Sequence, residues 1–403
     1  MSLGFSPERL ARLDRFIQAR YVDTGLIPGA QLKIHRGGQT VHEFVCGRAD
    51  LRHDQALADN AIFRIYSMTK PITSVAFMML VEEGLVALDD PVAKFIPAWK
   101  DLRVFQSGQI GSFVTQAVNR PMQVIDLLRH TSGLTYGFQN RTNVDASYRK
   151  HAMGELGSSL SLDDMISLLG TLPLEFSPGS AWNYSVSTDV LGYLVGVISG
   201  MAFETFLQTR IFDPLRMNET GFQVADGQGG RLPACYYVTP GGLILQDDPA
   251  TSPYLKAPGL ISGGGGLVST AADYMKFCDM LVARGLGNGH QLIAPKTLDL
   301  MTANHLPDGK DLIDLSISPF SESAYPGVGF GLGFAVVNDP ARAMLPGSVG
   351  EFYWGGAAST AFWIDPVEDL SVVFMTQVIP SSAYPIRRQL RTLVYSALVE
   401  TYG

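Results

Sequence analysis

Residues 63–85 read Phe-Arg-Ile-Tyr-Ser-Met-Thr-Lys-Pro-Ile-Thr-Ser-Val-Ala-Phe-Met-Met-Leu-Val-Glu-Glu-Gly-Leu, and their reading decides the fold. After Lys70, the apolar residues Ile72, Val75, Ala76, Met79 and Leu80 recur at the spacing of one helix face. Pro71 stands where a helix begins and a missing N–H costs little, and Gly84 closes the run as a C-cap. Ser67 and Lys70 therefore fall one turn apart, on one face, at the entrance of a buried helix. A helix start gathers free N–H groups and the positive dipole end, which stabilise a nearby anion. An amine placed there can take up a serine proton, the more readily when burial lowers its pKa. The Ser-x-x-Lys spacing fits an activated nucleophile, and the same residues fit an ordinary helix cap.

The spacing recurs in Ser147-Tyr-Arg-Lys150, within the polar run that starts at Asn140. No helix start or apolar face is evident behind that copy, and a solvated loop is expected there.

Composition narrows the classes. The chain has 403 residues, of which 46% are hydrophobic and 17% charged, as in a folded globular protein of two or three lobes. A formal charge of −8 with no basic block argues against nucleic acid as a partner. Three distant cysteines, Cys46, Cys235 and Cys278, fit neither a disulfide framework nor a zinc site. The seven histidines show no ligand spacing, so neither a metal nor a cofactor is expected. No apolar run reaches the length of a membrane span, and the first residues read as an amphipathic helix from Ser6-Pro7-Glu8, not as a signal peptide. A soluble, cytoplasmic protein without membrane contact is the expectation, with its oligomeric state left open.

In chain order, residues 30–35 and 41–46 alternate around Arg36-Gly-Gly-Gln, a hairpin whose His35 and His42 read as ordinary strand residues. Short helices follow near 89–99, 121–134 and 162–172. His130-Thr-Ser-Gly holds a His and a Ser, but neighbours at a helix end seldom face each other, so a structural turn is expected. Tyr184 precedes a helix running from about Ser187 to Gly200; taken alone, it reads as a packing or rim residue. Residues 203–222 add a helix, and 223–258 look irregular. Gly263-Gly-Gly-Gly leads into a helix over 271–283, without the Gly-Lys-Ser/Thr of a phosphate cradle. Four strand-like runs, 331–337, 350–354, 359–364 and 370–376, precede a terminal amphipathic helix over 387–402. An α+β fold is predicted, with a mainly antiparallel sheet of about five strands flanked by helices. Residues 1–85 and 216–403 form the α/β domain, 86–215 an inserted and mostly helical one, and the cleft between them is the natural site.

Three segments, Ser67-Met-Thr-Lys70, Tyr184-Ser-Val and Trp354-Gly-Gly, resemble in order and separation the serine β-lactamase and penicillin-binding-protein superfamily. The nearest branch is the family VIII carboxylesterases, relatives of class C β-lactamases. Leu128-Arg-His-Thr-Ser-Gly-Leu, Pro178-Gly-Ser-x-Trp-x-Tyr-Ser and Gly263-Gly-Gly-Gly-Leu-Val-Ser-Thr extend the resemblance over almost the whole chain, and no Gly-x-Ser-x-Gly occurs. The resemblance implies the β-lactamase/transpeptidase-like fold. It makes Ser67 the nucleophile, Lys70 its activator and Tyr184 the base. The backbone N–H groups of Ser67 and Ala357 would form the oxyanion hole, and Trp354, Gly355, Gly356 and Val186 would contact substrate.

Two departures refine that substrate. Val186 replaces the Asn of Tyr-x-Asn, and Trp354-Gly-Gly replaces Lys-Thr-Gly, so an amide grip and a carboxylate-binding cation are both missing. The tryptophan adds an apolar wall. The expectation is a serine carboxylesterase acting on small, uncharged, short-chain esters through an acyl-enzyme. A class C-like β-lactamase or D-Ala-D-Ala peptidase, an acyltransferase on the same site and a non-catalytic binding protein are the rivals.

Overall fold

The computed structural model describes residues 3–155, 158–318 and 326–403. Helix α1 (Pro7–Ile17) is capped by the Ser6 hydroxyl, with Pro7 at its first position, and buries Leu10, Leu13 and Ile17. Strands β1 (Gly29–Arg36) and β2 (Gln39–Asp50) form the expected hairpin. The helix of the opening stretch, α2 (Thr69–Glu82), is buried as expected. Burial extends beyond the one apolar face of the pattern: every residue from Thr69 to Leu80 is buried, so it is a core rod enclosed on all sides.

Between α2 and residue 215 the chain is mostly helical. It holds one exposed hairpin, β3 (Arg103–Gln109) with β4 (Ser112–Ala117), that was not foreseen. Helix α3 (Val124–Leu128) ends just before His130, which adopts φ +57° at a tight turn. Helix α4 (Asn143–Lys150) overturns the loop expected around Ser147. Thr142 and Asp145 form a reciprocal capping box, and Ser147 is buried with its hydroxyl on the Asn143 carbonyl. Helices α5 (Leu162–Leu169) and α6 (Ser187–Ser199) follow, α6 packing along α2. A second hairpin, β5 (Cys235–Thr239) with β6 (Gly242–Asp247), occupies part of the stretch expected to be irregular.

Helix α7 (Ala271–Val282) leads towards the strand-rich end: β7 (Val328–Phe330), β8 (Ala335–Val337), β9 (Phe352–Gly355), β10 (Ala361–Asp365) and β11 (Leu370–Met375). These strands, β1, β2 and the short Gln55–Ala56 make one antiparallel sheet of eight strands. Six of the eight, β1, β2 and β8 to β11, fall on predicted runs, against the expected five or so. Strand β11 pairs with β1, Leu32 opposite Phe374, which joins the two ends of the chain in one sheet. Helix α8 (Ile386–Ala397) packs beside α1.

Candidate active site

Ser67 sits on a single 3-10 turn (Tyr66–Met68) that runs directly into α2. Tyr66 holds φ +44°, a left-handed conformation unfavourable for a bulky residue, and the turn persists because its surroundings fix it. Ile65 N–H donates to the Leu267 carbonyl, and the Tyr274 hydroxyl donates to the Met68 carbonyl at 2.9 Å. The result is a rigid mount for the serine at the edge of a cleft.

Lys70, one turn along, is 2% exposed. Its Nζ lies 3.2 Å from Ser67 Oγ and donates to the Gly264 carbonyl at 2.6 Å. The same nitrogen stands 4.4 Å from the centre of the Tyr184 ring. Burial pushes the amine down to about 7, against the pull of the Asp189 carboxylate, so a neutral acceptor is within reach near neutrality. Tyr184 comes from the loop before α6, as expected, but is fully enclosed. Burial raises its phenol, while hydrogen bonding to Ser67 and Trp354 works in the opposite direction. The structure thus brings Ser67, Lys70 and Tyr184 together.

Strand β9 supplies the fourth side. A Cβ on Gly356 would lie 2.4 Å from the Ile65 carbonyl, so only glycine lets the strand end approach the serine turn this closely. Ala357, the next residue, borders the same cleft as Ser67. Neither its N–H nor that of Ser67 donates to a backbone carbonyl among the described residues.

None of the four expected substrate contacts, Trp354, Gly355, Gly356 and Val186, is among the residues that border the cleft. Trp354 is 2% exposed, and its ring packs 5.5 Å from Tyr184 and 5.4 Å from Phe330. It buttresses the tyrosine from behind and is not an apolar wall. Val186 is fully buried, against the chain near Gly154. Gly355 is packed under the Arg387 guanidinium, which also donates to the Gly356 and Thr360 carbonyls.

The residues that do line the cleft form two adjoining compartments of about 450 and 460 Å³, which share Ser67, Phe138, Tyr184, Ala357 and Ile379. Among the described residues bordering them there is no lysine or arginine; the ionisable groups are Glu155, Asp247 and tyrosines. Asp247 is tied to the buried Arg64 at 2.5 Å. The described residues contain no cluster of His, Cys, Asp or Glu suited to a metal ion. No single helix among them is long and apolar enough to cross a membrane.

Sequence reasoning missed two parts of the site. Asp189, on α6, is fully buried and accepts from Ser262 Oγ at 2.5 Å and from the Gly264 N–H at 3.0 Å. The glycine run that looked like a plain loop lies against α6. A Cβ on Gly263 would meet the Thr188 carbonyl at 2.7 Å, and that close approach sets the Gly264 carbonyl on Lys70. Asp189 stands in the first turn of α6, where an acidic residue is ordinary, so no sequence signal singled it out. His130 is structural: its Nδ1 meets Ser185 Oγ at 3.2 Å, and burial, with Lys70 nearby, holds it well below the usual imidazole range.

The fold and this arrangement define a serine hydrolase of the β-lactamase/transpeptidase type. Comparison with known proteins agrees. The sequence model of the beta-lactamase family matches residues 13–395, and the chain belongs to that family. Protein Rv1367c of Mycobacterium tuberculosis is 33% identical over 362 residues, covering 89% of this chain and 88% of its own length. Esterase EstB of Burkholderia gladioli is 27% identical over 410 residues, 96% of this chain and 95% of that protein. Among solved structures, EstCE1, described as a hydrolase with promiscuous acyltransferase activity, superposes with a TM-score of 0.80 at 25% identity. It covers 96% of this chain and 99% of its own.

Proposed function

We propose that the chain is a carboxylesterase that hydrolyses small, uncharged acyl esters through an acyl-enzyme on Ser67. The supporting observation is the meeting of Ser67, the buried Lys70 and Tyr184 beside a cleft that, Lys70 apart, has no described lysine or arginine at its walls. In this reading Ser67 Oγ attacks the ester carbonyl and its proton passes to the Lys70–Tyr184 pair. The pair titrates as a unit, so the proton belongs to both. The N–H groups of Ser67 and Ala357 stabilise the oxyanion, and Tyr184 returns the proton to the departing alcohol. Water then attacks the acyl carbonyl by the same route and frees Ser67.

The cleft's charge favours esters over β-lactams and D-Ala peptides. Those substrates carry a carboxylate, which would be desolvated there without a partner. The test is turnover of p-nitrophenyl butyrate against nitrocefin and a D-Ala-D-Ala peptide. Butyrate is expected to lead by orders of magnitude, and a higher turnover number for nitrocefin would overturn the reading.

Acyl transfer is the second reading, favoured by the two compartments that both border Ser67. One can hold the acyl group while an alcohol occupies the other. Added butanol would then yield a butyl ester at the expense of free acid.

A further inference from the structure

Phe138 is 60% exposed, and no other phenylalanine among the described residues is exposed. It borders both compartments of the cleft. An apolar ring left in water is unfavourable, and a loop residue with that freedom would be expected to fold inwards. Here the turn that carries the ring is held in place. Phe138 is the middle of a 3-10 turn, Gly137–Gln139, whose ends are both tied down. Arg149 donates to the Gly137 carbonyl, and Gln139 Nε2 donates to the Tyr184 carbonyl at 2.5 Å. Asn140 Nδ2 donates to the carbonyl of Phe138 itself at 3.0 Å. The ring is fixed as well, stacked on Tyr136 with centres 4.8 Å apart and planes 20° apart.

A second exposed aromatic borders the same compartment. Tyr237, 44% exposed, lies on β5 opposite Ile379 in a parallel pairing, and Ile379 lines both compartments. Pro380 continues that apolar wall. The stacked Phe138 ring and the Tyr237 ring, whose backbone is fixed by its strand pairing, stand at the mouth of a reactive cleft, and the ordering already in place lowers the cost of binding a flat apolar ligand. The exposed Phe138 ring offers a planar ligand the offset-stacked or edge-on contact that aromatic pairs prefer.

We propose that Phe138 and Tyr237 form an aromatic clamp that takes a planar ring carried by an uncharged ester substrate. The clamp rests on the esterase reading for its substrate and adds a preference for aryl over equally bulky alkyl groups. The ring can belong to the acyl or to the alcohol part, and paired substrates distinguish the two. For the acyl part, kcat/KM is compared for the p-nitrophenyl esters of 3-phenylpropanoate and 3-cyclohexylpropanoate; for the alcohol part, for benzyl and cyclohexylmethyl butyrate.

In at least one pair the aromatic member is expected to lead by about tenfold, the size of one or two ring contacts. The ratio should fall towards one in Phe138→Ala, Phe138→Leu and Tyr237→Ala, with circular dichroism confirming that each variant is folded. Absence of preference in both pairs, or a preference that survives all three substitutions, overturns the clamp. Loss of p-nitrophenyl butyrate turnover in the wild type would instead remove the esterase reading. In that event, calorimetric binding of the benzyl and cyclohexylmethyl esters to Ser67→Ala still tests the clamp, and equal Kd values for the two refute it.

Discussion

Asp189 and Lys70 are joined through a single residue. The aspartate accepts the Gly264 N–H at 3.0 Å, while the lysine donates to the Gly264 carbonyl at 2.6 Å. The carboxylate therefore acts on the amine in two ways, by its charge and by fixing the loop that holds it. Tyr184, Tyr136, His130 and Ser67 complete the surroundings of the amine.

The pH dependence follows. The Lys70–Tyr184 pair must have given up a proton before it can accept one from Ser67, and burial with the opposing Asp189 charge leaves the amine at about 7. kcat/KM should therefore rise with pH through the neutral region. Asp189→Asn removes the negative charge that favours the ammonium, so the acidic limb should move to lower pH. A pH–rate profile displaced upwards, or not displaced, would show that Asp189 does not act on Lys70.

Gly356→Ala tests the placement of the oxyanion donors. The added Cβ would meet the Ile65 carbonyl at 2.4 Å, so strand β9 must retreat from the serine turn and carry the Ala357 N–H with it. Turnover should fall about 10²-fold or more, the usual loss for one such donor. KM for p-nitrophenyl butyrate should change far less, and steady-state kinetics separates the two effects.

A third prediction concerns stability alone. Arg36 is fully buried, pairs with Glu368 at 2.6 Å, and donates to the carbonyls of Leu3 and Glu400. It ties both chain ends to β1, far from the cleft. Arg36→Ala leaves the buried Glu368 carboxylate with only the Tyr402 N–H and removes the donor from three carbonyls, those of Leu3, Glu368 and Glu400, and about 3–5 kcal/mol should be lost. Urea unfolding measures this, and Ser67 in the folded fraction should keep its reactivity.

Much of this architecture was legible because it is written in local pattern. Alternation gave the β1–β2 hairpin, strand-like runs between turn residues gave the later strands, and the three-and-four spacing after Lys70 gave α2. The resemblance carried by Ser67, Lys70, Tyr184 and Trp354-Gly-Gly led to a constellation that the fold brings together. Helix α4 was missed although Thr142 and Asp145 are a capping box, because the run was judged by its polarity. The β5–β6 hairpin was missed although Pro240-Gly-Gly stands between two β-prone runs. The Asp189–Gly264 contact was not legible at all, since 75 positions separate the two and only the packing of the glycine run on α6 joins them. Trp354 and Val186 were misplaced for a related reason. A motif position names a neighbourhood, and burial decides whether its side chain meets the substrate or supports the residue that does.

The account rests on Ser67 as the atom that is acylated. The direct measurement is labelling with a p-nitrophenyl phosphonate ester, followed by peptide mapping of the adduct, alongside p-nitrophenyl butyrate hydrolysis by Ser67→Ala. A single adduct on the Ser67 peptide is predicted, with hydrolysis falling about 10⁶-fold in the variant. An adduct at Ser147 or any other serine, or hydrolysis that survives the substitution, would contradict it.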